Sequence, residues 1–219
     1  MNGKKLLWQA IGLILVALLV GCGSVPNEPI LTSTPELPSA TPTRVSLPAT
    51  TSPRVLILIR SYNSEDMPYM TDNELVVMID MLEDAGFEFW IASRTYDPYE
   101  SEIKTIIPDF IFNSVDVADF DAVILPCLAA GTRPGLKDYI EFVAEFDKQE
   151  KVIAAQHGAR GTLYQLGIIT DDQWTRIEVL QNGRVITSGC GPYMARSSGC
   201  EDSTRELIEK LIATVNEGK

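Results

Sequence analysis

The thiols and imidazoles of this chain are few: Cys22, Cys127, Cys190, Cys200 and a single histidine, His157. His157 lies in Val152-Ile153-Ala154-Ala155-Gln156-His157-Gly158-Ala159, an apolar run that breaks into a polar pair and a glycine and resumes as a helix through Leu163 and Leu166. A buried strand turning sharply into a helix raises one side chain into a pocket beside helix N-terminal amides. In sequence the apex of that turn reads as Gln156. Glutamine offers neither a nucleophilic atom nor an acidic proton, so covalent chemistry is not expected there. With one imidazole in the chain, no second histidine relay can be built, and a metal site would gain at most one nitrogen ligand. His157 is therefore expected to be a hydrogen-bonded pocket residue, Gln156 a neighbour that donates and accepts hydrogen bonds, and no metal or cofactor is expected.

Cys22 belongs to different chemistry. Lys4 and Lys5 precede an apolar run from Leu6 to Val20, and Leu19-Val20-Gly21 leads directly into Cys22. Basic residues, a short apolar core and a small residue make an export signal, and the run is shorter than the ~20 residues needed to span a bilayer. Its end resembles the lipobox of bacterial lipoproteins, which implies acylation of Cys22 and residues 1–22 as a signal peptide. Two or more acyl chains anchor stably where one is marginal.

Residues 23–53 are rich in proline, threonine and serine, with prolines at 26, 29, 35, 38, 42, 48 and 53 and no apolar periodicity. Such a segment lacks the means to bury a core and is expected to be a disordered tether reaching up to the order of 90 Å at roughly 3 Å per residue. The remainder, 54–219, fits one domain. The net charge of -12, from 30 acidic and 18 basic residues, disfavours nucleic acid and anionic lipid surfaces as partners, because phosphate binding needs concentrated Lys and Arg, and no nucleic acid is expected.

The elements that must position these side chains alternate between strand and helix. Val55 to Ile59 is an uninterrupted apolar run, the mark of a parallel strand covered on both faces. Leu75, Val76, Ile79 and Leu82 give helical spacing over 73–85, ended by Gly86; strands are expected over 87–92, 122–125 and 152–155 and helices over 136–148 and 203–215. Asn182-Gly183 centres a hairpin over 178–188. Repeated strand–helix–strand units predict an α/β fold: a three-layer α/β/α sandwich on a mostly parallel sheet, with sites at the carboxyl ends of the strands.

The order Asn73-Glu74-Leu75, Ala85-Gly86-Phe87, Ile91-Ala92-Ser93, Asp119 to Pro126, Ala155-Gln156-His157-Gly158 and Val185-Ile186-Thr187-Ser188 resembles the ThiJ/PfpI family. The family includes the parkinsonism-associated deglycase and intracellular protease I. The resemblance implies a flavodoxin-like, class I glutamine amidotransferase-like fold and, from the family's habit of pairing, a homodimer. It also implies an elbow cysteine just before a His-Gly pair, a position that falls on Gln156. The family's acid falls on Thr71, and its Pro-Gly-Gly oxyanion loop on Pro126-Cys127-Leu128. Nucleophile, acid and glycine loop thus all read as replaced.

The cysteines fit export. Cys190 and Cys200 bracket a glycine-flanked loop that a disulfide can close outside the cytoplasm. The resemblance offers a competing pair, Cys127 with Cys190, by placing their loops on opposite sides of one pocket. Glu65, Asp66 and Asp72 read as solvated acids of the long loop after the first strand. The expectation is a lipid-anchored domain on the extracytoplasmic face of a bacterial membrane, binding a small molecule at Gln156, His157, Cys127 and Cys190 without turnover. The alternative is a divergent hydrolase- or deglycase-like enzyme using Cys127 or Cys190 with His157 on a small carbonyl or amide.

Overall fold

The computed structural model describes residues 44–59, 66–129 and 136–218. Cys22, the export signal, the tether as far as residue 43, and Glu65 lie outside the described residues.

Strand β1 (Arg54–Leu58) is buried along its whole length, as its unbroken apolar sequence requires of a central strand. Helix α1 (Met67–Met70), a π-helical turn (Thr71–Leu75) and α2 (Val76–Asp84) follow as one helical run. The chain continues through β2 (Glu88–Ser93), the short β3 (Phe110–Ile111), β4 (Ala122–Leu125) and α3 (Leu136–Lys148). Strand β5 (Val152–Gln156) leads into α4 (Arg160–Gln165) and α5 (Asp171–Thr175). Then come β6 (Leu180–Asn182), β7 (Val185–Ser188), α6 (Pro192–Ser198) and α7 (Thr204–Glu217).

The strands form one seven-stranded sheet in the order β3-β2-β1-β4-β5-β7-β6. All pairings are parallel except β6 with β7, the hairpin in which Gly183 takes a φ of 59° at the turn. Alternate side chains of β1 go to opposite faces. Val55 and Ile57 pack with Ile79 and Leu82 of α2 and Leu207 and Leu211 of α7, whereas Leu56 and Leu58 pack with Phe142 and Phe146 of α3 and Leu163 of α4. Helices on both faces of a mostly parallel sheet make the three-layer flavodoxin-like sandwich.

Besides the short β3, α5 and α6, which have no counterpart in the sequence reading, two boundaries differ from it in ways that bear on the site and its surroundings. The helix expected from Asn73 begins at Met67, so Asp72 is a helical residue whose carboxylate accepts the backbone N–H groups of Glu102 and Ile103. Residues 44–53, expected to belong to a disordered tether, instead run along the domain. The Val45 N–H donates to Ser114 O over 2.7 Å and Leu47 N–H to Asp119 over 2.9 Å. Arg44 pairs with Glu145 at 3.1 Å. Leu47 explains the difference, because it finds a place against the Leu56-side core that composition alone does not reveal.

Candidate functional site

Strands β4 and β5 end side by side, and each delivers one chemically active residue at its carboxyl end. Cys127 opens the short 3-10 turn Cys127–Ala129 after β4, and His157 opens the 3-10 turn His157–Ala159 after β5. Cys127 Sγ and His157 Nδ1 are 3.3 Å apart, and both residues are partly exposed.

The elbow residue is His157. It takes a φ of 44°, while Gln156 keeps the extended φ of -107° as the last residue of β5. The sequence reading that put Gln156 at the apex is therefore corrected by one residue: Gln156 follows Ala155 in the strand and points into the core. Its side chain is fully buried, its Nε2 donates to Thr204 Oγ1 over 2.7 Å, and its flank packs against Gly191, where a Cβ would come within 3.0 Å. It is not placed to meet a ligand. A left-handed non-glycine residue costs on the order of 1–3 kcal/mol and persists only where its surroundings impose it.

The acid partner is also relocated by one helical turn. Thr71, where the resemblance placed it, is buried with its hydroxyl unpartnered among the described residues. Glu74, at the same helix face, is wholly buried and supplies the carboxyl group. Its Oε1 accepts the N–H of Cys127 over 2.5 Å and its Oε2 that of Leu128 over 3.4 Å. Glu74 sits in the π-helical turn, a feature often found at functional sites. A signal for it was present in the sequence: Met70, Glu74 and Met78 recur every four residues and all are buried, so the glutamate stands within an apolar stripe where a solvated acid has no place.

The electrostatics follow from burial. Desolvation pushes Glu74 up to about 8, against the opposing pull of the Cys127 and Leu128 amides, and nearby Asp202 raises it further. Desolvation likewise pushes the Cys127 thiol up to about 12, with the Glu74 charge adding to the rise and a hydrogen bond from the Gly158 N–H lowering it. His157 is held below the ordinary histidine range by burial and by the Arg160 guanidinium. At neutral pH the pair is thus a thiol and a neutral imidazole rather than an ion pair. The consistent arrangement is Cys127 S–H donating to a bare His157 Nδ1, with the ring proton on Nε2.

Cys190 does not join this site. It is 1% exposed and forms a disulfide with Cys200, with Cα atoms 6.3 Å apart. The competing Cys127–Cys190 pair is absent and Cys127 remains a free thiol. Among the described residues no group of three or more His, Cys, Asp or Glu is arranged to hold a metal ion.

Comparison with known proteins agrees with this fold. No curated protein matches the chain. A ThiJ/PfpI domain protein from Brachyspira murdochii superposes with a TM-score of 0.54 at 16% identity, over 76% of this chain and 98% of its own. Oxidized DJ-1 from Toxoplasma gondii gives 0.52 at 19% identity, over 74% and 89%. At these identities the likeness speaks for the fold. The family model described as DJ-1/PfpI matches residues 54–194, the segment that carries Glu74, Cys127 and His157. The chain belongs to the DJ-1/PfpI family.

Proposed function

We propose that this DJ-1/PfpI domain is carried on a bacterial lipoprotein, anchored by acylated Cys22 at the extracytoplasmic face of the membrane, and that it binds a small molecule at the Cys127–His157 pair without turning it over. One observation carries the non-catalytic part. The elbow presents an imidazole, and the neighbouring thiol is held un-ionised at neutral pH by burial, so the thiolate that covalent chemistry needs is scarce. The Cys190–Cys200 disulfide supports an oxidising compartment. The lipobox-like Leu19-Val20-Gly21-Cys22 supports the anchor. Incubation of the purified full chain with methylglyoxal, glycated amines and peptides tests the non-catalytic part: no turnover above buffer is expected. Fatty-acid labelling in cells tests the anchor. Label in the wild type and none in Cys22→Ser is expected, and unlabelled wild type released from the membrane would overturn it.

A second reading rests on the 3.3 Å contact itself. A thiol within hydrogen-bond reach of an imidazole is the arrangement by which a base activates a nucleophile. Here Cys127 would attack a small carbonyl or amide carbon while His157 takes the thiol proton. Wild-type turnover abolished by Cys127→Ser would establish this reading in place of the first.

A further inference from the structure

Arg160 is the first residue of α4, three positions past the elbow, and only 7% exposed. Among the described residues its hydrogen bonds go to backbone carbonyls rather than to a carboxylate. Nε donates to His157 O over 3.1 Å, and Nη1 to Arg176 O over 2.7 Å and Gln173 O over 3.2 Å. Its guanidinium carbon lies 5.3 Å over the ring of Trp174, which closes the outer side. A buried guanidinium is costly to keep, and one of the three carbonyls this one holds is that of His157, the residue with the left-handed φ of the elbow.

We propose that Arg160 is the positioning residue of the Cys127–His157 pair: by gripping the His157 carbonyl and fastening it to the end of α5, it holds the elbow in the conformation that sets the imidazole against the thiol. The planar fork is what suits it to this. Three carbonyls in different directions are reached by donors of one rigid group, which a single ammonium does not reproduce. The consequence is a link from the exposed α4–α5 surface, through Trp174 and Arg160, to the site. It holds whether or not the pair turns over a substrate, so failure of the non-catalytic reading leaves it standing.

The chain's lone histidine makes the test direct, since one imidazole signal reports the elbow in the full-length protein. The groups that face this imidazole are the Cys127 thiol, with Glu74 behind its amide, and Arg160 itself. Arg160→Lys keeps the charge and removes the fork. We expect its imidazole titration to move up toward the ordinary histidine range. Alkylation of Cys127 at pH 8, read by mass spectrometry of that peptide, should accelerate about tenfold, the effect of a one-unit fall in thiol pKa. A folded Arg160→Lys protein with both readouts unchanged would overturn the proposal, even if its melting temperature fell, because that is the behaviour of a merely structural arginine. Should the variant fail to fold, side-chain exchange in the wild type decides. The Arg160 Nε–H should exchange at least about tenfold more slowly than those of exposed Arg196 and Arg205, and equal rates would refute the grip.

Discussion

Glu74 and Cys127 are joined through the backbone: Glu74 Oε1 accepts the Cys127 N–H over 2.5 Å while the thiol of the same cysteine lies 3.3 Å from His157. Cys127 is thus the residue through which the buried acid and the elbow communicate. The amides of the loop after β4, which in the family resemblance serve as an oxyanion hole, are here occupied by a carboxyl group of the protein itself.

Glu74 should make stability fall as pH rises. Its folded value of about 8 lies above the ordinary 4.5, so between those values the folded state binds more protons than the unfolded chain. Stability from this group is full below about pH 4.5, declines through neutrality and is lost above about pH 8. The integrated loss is on the order of a few kcal/mol. Urea midpoints of wild type and Glu74→Gln across this range should show the decline in the wild type only. Parallel profiles would exclude a protonated, buried Glu74.

Cys127 should label slowly. With burial pushing the thiol up to about 12, iodoacetamide modification at pH 8 should be much slower than for an unfolded-chain thiol and should rise steeply as pH approaches the thiol's own value. Unfolding in urea should restore ordinary reactivity. Fast labelling of the folded protein at pH 7 would instead mean a thiolate stabilised by His157.

Reduction or Cys200→Ser should destabilise the domain without reorganising the sheet. The bridge closes a ten-residue separation, which through the unfolded state contributes roughly 2–3 kcal/mol. A non-reducing peptide map should contain the Cys190–Cys200 pair, and the melting temperature should drop by several degrees under reductant. A map linking Cys127 to Cys190 would contradict the structure.

Two glycines beside the bridge should rank by what a methyl group meets. At Gly189 an added Cβ comes within 2.2 Å of Arg176 O, a backbone atom that has nowhere to go. At Gly191 it comes within 3.0 Å of the Gln156 side chain, which can shift slightly but is buried and hydrogen-bonded to Thr204. Gly191→Ala should cost about 1–3 kcal/mol and Gly189→Ala more, as read by denaturant unfolding. The reverse order would show that Gln156 is the more rigid neighbour.

The sequence by itself determined most of the strand and helix order, because unbroken apolar runs such as Val55 to Leu58 and helical spacing such as Leu75, Ile79 and Leu82 are local patterns that burial enforces directly, whereas the short β3, α5 and α6 carry no such pattern. It also brought Cys190 and Cys200 close enough along the chain to favour each other. The residues that share the site were a different matter. Whether Gln156 or His157 occupies the elbow is a difference of one residue at the end of β5, and it is settled by the parallel pairing of Gln156 with Ser188, which keeps Gln156 in the sheet and leaves His157 to make the turn. Likewise Thr71 and Glu74 lie on one helix face, and a π-helical turn decides which of them reaches the Cys127 amide. Such choices depend on contacts between segments some 30 to 50 residues apart, such as Cys127 with His157 and Glu74 with Cys127, and only the packed sheet with its helices brings those segments together.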